Sequence, residues 1–133
     1  MAEGLKRECA NLDALNLAFF GDAVYELMVR RELVHENLRV NDLHKKAVQY
    51  VSENAQMRDF KNIEELLTEE ELDLVKRARN RSQHAPKHTK IQVYRLATGF
   101  EALVGALYLS GAKERLDYLF EEIKRRRNGD NRS

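Results

Sequence analysis

An all-α, single-domain protein of about six helices is predicted for this 133-residue chain from three observations. Proline occurs once and glycine six times, so few positions interrupt a helix. Long stretches are rich in Leu, Ala, Glu, Lys and Arg, the residues that lose least on entering a helix. Apolar residues recur at helical spacing, and the strict alternation of a half-buried strand is scarce. With 43% hydrophobic residues the chain can bury one sizeable core and leaves no room for a second folded module. Residues 1–133 therefore read as one domain, with its core over about 11–127 and a disordered tail at 128–133, within RRRNGDNRS.

The first helix begins near Asn11 or Asp13, either of which can cap it, and runs through LNLAFFGDAVYELMVRREL with Gly21 in its middle. A second follows the Asn41-Asp42 pair and carries LHKKAVQYVSENAQMRDF, with Leu43, Ala47, Val51 and Ala55 on one stripe. A short helical piece lies near Ile63 to Leu67. Thr68 and Glu71 have the spacing of a capping box and open a helix reaching about Asn80. After a loop from Arg81 to Thr89 containing Pro86, a well-defined helix runs from about Lys90 to Ser110, stopped by Gly111. A last amphipathic helix covers about Ala112 to Arg127.

Composition excludes several classes. The lone Cys9 cannot form an internal disulfide, and neither a secretory signal nor a membrane span is legible, because MAEGLKRECANLD is charged from its third residue. A reduced cytoplasm is the expected compartment. The net charge of +1 hides an uneven distribution. Lys76, Arg77, Arg79, Arg81, Lys87, Lys90 and Arg95 lie in a stretch where no acid occurs between Asp73 and Glu101, while the rest of the chain is acidic in balance. Such a segment is either a polyanion footprint or a solvated basic loop.

Two acids stand in apolar surroundings. Glu101 is the lone charge of FEALVGALYL, and Asp22 sits between Gly21 and Ala23 in a helix that is apolar for most of Leu12 to Val29. An ionised carboxylate there needs a compensating cation or donors. Small residues beside each acid would let two helices cross closely and bring the carboxylates to one point. A hard divalent ion such as Mg²⁺ suits that pair; a Lys or Arg partner, or a local cap, is the other reading. His84 and His88 have the i, i+4 spacing of a metal pair, but Pro86 between them argues against a helix, so phosphate contact fits them better than zinc.

FFGDAVYELMVRREL resembles the signature helix of the ribonuclease III family, and FEALVGALYLSG its second acidic helix. NDLHKKA, VKRARN and PKHTKIQVYRLATGFEAL resemble its Mini-III branch, so the similarity spans about Leu12 to Gly111. The resemblance implies an all-helical homodimer that uses Mg²⁺, with Mn²⁺ able to substitute, to hydrolyse double-stranded RNA to 5′-phosphate and 3′-hydroxyl ends. It also implies a role in maturing 23S ribosomal RNA precursors, with a ribosomal protein as a possible helper. The catalytic and metal-binding residues carry over onto Asp22 and Glu101. Leu15, Ala18 and Thr98 stand where larger relatives have acids. Glu26 and Glu53 are candidates to supplement the site, though solvent-facing ion pairs are the more ordinary role for both. Thr98 could orient a water there, or bond back to its own helix.

The chain is too short after its last helix to hold a double-stranded-RNA-binding domain, so the catalytic domain is expected to grip RNA itself. The residues assigned to that task are His44, Lys45, Lys46, Lys76, Arg77, Arg79, Asn80, Arg81, Lys87, His88 and Arg95. Duplex RNA is recognised largely by shape, phosphates and 2′-hydroxyls, for which cationic loops suffice. Phe19 and Phe20 are expected at the dimer interface, with Phe20 the ring that inserts into the partner. The competing function is a non-catalytic RNA-binding relative in which the reduced acid set is a relic.

Overall fold

A computed structural model of the chain describes residues 4–130, and among them every regular element is helical. In chain order these are α1 (Arg7–Ala10), α2 (Ala14–Leu33), α3 (Val40–Val51), α4 (Glu53–Ile63), α5 (Glu69–Arg81), α6 (Ile91–Leu109) and α7 (Lys113–Asp130), with 3-10 turns at Val34–Glu36 and Glu64–Leu66. No described helix is long and apolar enough to cross a membrane.

Helix α6 is the axis of the molecule. From Ala97 to Leu107 every residue except Glu101 is buried, so the helix is apolar almost all round and must be covered on every side. Helices α2, α4, α5 and α7 do this. The tightest contact is with α2. A Cβ built on Gly21 would lie 1.7 Å from the Glu101 carbonyl oxygen, and one on Gly105 would lie 2.3 Å from the Leu17 carbonyl oxygen. The two backbones therefore touch, and only hydrogen fits between them. On the opposite flank Gly99 abuts Val75 of α5.

Local signals explain most of the boundaries. Of the two candidate caps for the long helix Asp13 is used, its Oδ1 accepting from Leu15 N at 2.8 Å. The Thr68 capping box closes, with Thr68 Oγ1 accepting from Glu71 N at 3.1 Å and Glu71 Oε1 accepting from Thr68 N at 2.9 Å. Glu71 is buried, and Arg115 answers its charge at 2.7 Å. Gly111 takes a positive φ of 72°, which lets Ala112 N reach Leu107 O and Gly111 N reach Tyr108 O at 3.0 Å each, the paired bonds that end α6.

Four expectations are corrected. The single helix expected from Asn41-Asp42 to Phe60 is two. Ser52 is extended (φ −65°, ψ 159°) and its Oγ accepts from Ala55 N at 3.2 Å, capping α4 anew. The unbroken apolar stripe masked that cap. Helix α3 starts at Val40, with Arg39 in the capping position and Asn41 and Asp42 already inside the first turn. Helix α1 was not expected, and Lys6 N donates to Ser110 Oγ beside it. Finally α7 runs to Asp130, beyond the expected end at Arg127 and into the tail read as disordered; 131–133 lie outside the described residues.

One buried polar cluster ties α7 to the middle of the fold. Asp59 on α4 is fully buried and accepts from Arg127 Nη2 at 2.7 Å and from the Tyr25 hydroxyl at 3.3 Å. Arg127 also donates to the Tyr25 oxygen at 3.0 Å and lies over the Tyr50 ring. Burial, reinforced by the Asp59 charge, raises the Tyr25 pKa, so the phenol stays protonated as a donor. A buried acid so well answered stabilises little by itself, but losing one partner would be costly.

Candidate active site

The crossing of α2 and α6 sets the site. Asp22 follows Gly21 on α2, and Glu101 contributes its own carbonyl to the contact with Gly21, so the two acids are neighbours because the backbones meet there. Their carboxyl groups come within hydrogen-bonding reach. Asp22 is exposed at the rim and Glu101 half-buried beneath it.

Burial pushes the Glu101 carboxyl up to about 8, and Asp22 adds to the shift by sharing a proton with it and by like charge. Gln56 on α4 works in the opposite direction, its carboxamide favouring the charged form. Glu53, half-buried in the first turn of α4, raises the value further through its charge. No Lys or Arg among the described residues pairs with Asp22 or Glu101. Among the described residues, then, neither acid is accounted for by an ion pair. The fit to a hard divalent ion is by donor chemistry: two carboxyl groups on rigid helices that crowd each other, with no basic partner among the described residues. Among the described residues no three His, Cys, Asp or Glu side chains converge closely enough to hold a metal ion, so the protein offers a pair rather than a cage.

The supplementary residues sort themselves. Glu26 is taken by Arg30 at 2.7 Å, one turn along α2. Glu53 has no ion-pair partner among the described residues, and its charge raises Glu101. The Thr98 hydroxyl donates to Tyr94 O at 2.9 Å, so the role of orienting water is not the one its proton performs. Ala18 is buried at the helix crossing, where a Glu would have to be desolvated. Gln56 was missed by the sequence reading. Its only signal was its spacing with Asp59, Phe60 and Ile63, a run that the structure buries on one face of α4.

The eleven residues assigned to RNA divide into two sets. Lys46 pairs with Glu36, Arg77 donates to Ala10 O, Arg81 pairs with Asp13 at 2.7 Å, and Arg95 donates to Ser82 O at 2.8 Å. These four brace the fold. His44, Lys45, Lys76, Asn80, Lys87 and His88 are exposed, and Arg79 is half-buried; none of the seven has a side-chain partner among the described residues. On α5 the split follows the helix: Arg77 and Arg81 face α1 and the start of α2, whereas Lys76 and Arg79 line a groove with Lys61 of α4. Lys61 is a cation the sequence reading left out because it lies outside the acid-free segment.

The two phenylalanines also part company. Phe20 is half-buried, its ring centroid 5.7 Å from that of Tyr108 in the same chain. Phe19 is 84% exposed. Of the two rings expected at a dimer interface, Phe19 is the more exposed. Tyr108 and Leu109 add exposed apolar surface at the far end of α6.

Comparison with known proteins agrees with this architecture. The ribonuclease III domain matches residues 15–112. A Mini-ribonuclease 3 from a Thermoanaerobacter species is 50% identical over 118 residues, 87% of this chain and 83% of that protein. One from Clostridium tetani is 41% identical over 124 residues, 91% of this chain and 82% of the relative. The crystal structure of a Fusobacterium nucleatum protein superposes with a TM-score of 0.80 at 30% identity, over 90% of this chain and 95% of that one. With the domain matched across α2 to α6 and such relatives aligned over most of its length, the chain belongs to the ribonuclease III family, in its Mini-ribonuclease 3 branch.

Proposed function

We propose that this ribonuclease is a divalent-metal-dependent endonuclease of double-stranded RNA, acting as a homodimer in the cytoplasm in the maturation of 23S ribosomal RNA precursors. The observation that carries the reading is the uncompensated pair Asp22 and Glu101, held together by backbone contact between two helices. A divalent cation, Mg²⁺ or Mn²⁺, would supply there an acidified water and neutralise the charge developing on phosphorus. Asp22 and Glu101 are the residues that would hold it. Asp22, exposed at the rim, would hold it from the substrate side and Glu101, half-buried, from below. The unpartnered cations on α3, α5 and the loop after it hold the phosphates in register so that attack is in line with the departing 3′-oxygen. With only two acids the site would depend on RNA oxygens for further ligands.

Incubation of the purified protein with long duplex RNA, with Mg²⁺ or with chelator, tests the reading. Cleavage by the wild type in Mg²⁺ alone, lost in Asp22→Asn, is the expected result. A protein that binds duplex RNA but never cuts it would be the non-catalytic relative instead.

The division of the cations makes a sharper expectation. Arg79→Ala and Lys87→Ala weaken duplex binding, each lowering the slope of log affinity against log salt by about 1. Arg77→Ala lowers the unfolding temperature instead and leaves the salt slope unchanged, because its guanidinium is spent on Ala10 O. Equal salt slopes for all three variants would move the RNA surface elsewhere.

For the dimer, Phe19→Ala is expected to weaken self-association by about 2 kcal/mol, roughly 30-fold, as for a buried aromatic anchor. Phe20→Ala destabilises the subunit through its lost contact with Tyr108. Sedimentation equilibrium distinguishes these, and an unchanged association constant for Phe19→Ala removes it from the interface.

A further inference from the structure

We propose that Gln56 is a third member of the site, a positioning residue that orients the Glu101 carboxylate with one end of its carboxamide and, with the other, accepts a hydrogen bond from water ordered around the bound cation. The proposal rests on the metal-dependent reading above. Gln56 is 1% exposed, yet it lies close enough to the half-buried Glu101 to favour the charged form of that carboxyl.

The break between α3 and α4 defines its orientation. Because Ser52 is extended, the last turn of α3 is left with carbonyls that no helical N–H meets, and Gln56 Nε2 donates to one of them, Val51 O, at 3.2 Å. That contact identifies the nitrogen end of the amide, since an oxygen there would face another oxygen. The carbonyl end, Oε1, is then buried without a partner among the described residues. An amide carbonyl shut away from water is costly unless a donor reaches it. Water bound to a cation, polarised by the ion, is a strong donor of the missing kind.

The role is distinct from that of the acids. A neutral oxygen adds no negative charge to a pair already crowded, and it fixes the direction of a water that two carboxylates alone leave free. Groups in this position around metal sites change affinity about 10- to 100-fold when removed.

Mn²⁺ titration of the metal-free protein, followed by the loss of the free-ion electron paramagnetic resonance signal, tests this with no reference to activity. Wild type, Asp22→Asn, Gln56→Met and Gln56→Glu are compared, each with its unfolding temperature. Gln56→Met keeps length and bulk while removing both polar ends, and is expected to bind Mn²⁺ about 10-fold more weakly. Gln56→Glu adds an anion and is expected to bind about 10-fold more tightly. If Asp22→Asn loses binding while both Gln56 variants match the wild type, the proposal is wrong and the metal reading stands. Wild type that takes up no Mn²⁺, alone or with duplex RNA, overturns both. Should Gln56→Met not fold, unchanged affinity in Gln56→Glu alone overturns the role of Gln56.

Discussion

Glu101→Gln is expected to abolish metal-dependent cleavage and, in the same protein without metal, to raise stability above pH 6. Burial and Asp22 hold the Glu101 carboxyl near 8 in the folded state, against an ordinary value of 4.5. Between those two values the folded protein keeps a proton that the unfolded chain has released. Stability therefore falls as pH rises from about 4.5 and levels off above about 8. A full shift of this size would correspond to several kcal/mol; because Glu101 is only half-buried, a contribution of about 2 kcal/mol is the realistic scale. Gln carries no titrating proton, so denaturation of Glu101→Gln followed from pH 5 to 8.5 should lack this decline. Mg²⁺ should restore wild-type stability at pH 8 and do nothing for the variant. Parallel pH profiles for the two proteins would show that Glu101 is not the strained group. The trade is the usual one at a catalytic centre, where groups arranged for function repel until the ligand arrives.

Gly21→Ala is expected to destabilise the fold by more than about 3 kcal/mol and to remove activity with it. In an ordinary helix the same change gains about 0.5–1 kcal/mol, because alanine loses less backbone freedom on folding. Here the new methyl would stand 1.7 Å from Glu101 O and 2.8 Å from Gly105 N, both backbone atoms that cannot swing aside. The helices must separate or tilt, and the two acids separate with them. Gly105→Ala meets Leu17 O at 2.3 Å and should behave alike. Gly4→Ala, with open space around its Cβ, is the control and should be neutral. Urea denaturation checks all three. A Gly21 variant as stable as the wild type would mean that the helices do not cross in contact.

The legible part of the fold was its local chemistry. Asp13, Thr68 with Glu71, and Gly111 act within one turn of themselves, so their meaning survives without the rest of the chain. The break at Ser52 was missed although it too is local. Leu43, Ala47, Val51 and Ala55 keep helical spacing across it, and a periodic stripe outweighed one serine in the reading. The basic segment shows a different failure. Its charges are adjacent in sequence, but Arg77 and Arg81 point to one side of α5 and Lys76 and Arg79 to the other, so contiguity overstated the common surface.

For the candidate active site, the sequence by itself singled out the two acids. Glu101 is the lone charge of FEALVGALYL, and Asp22 lies between Gly21 and Ala23 in a mostly apolar helix, so both stand out from their local surroundings. Only the tertiary structure decided what surrounds them. Gln56 and Glu53 arrive from a helix more than thirty residues away from Asp22 in sequence, redirected by the Ser52 break. The choice of Phe19 over Phe20 as the free ring depends on where Tyr108 lies. Periodicity specifies a face of a helix, but which neighbour meets that face is a matter of how helices cross. In this protein the crossing is set by two glycines that let the backbones touch.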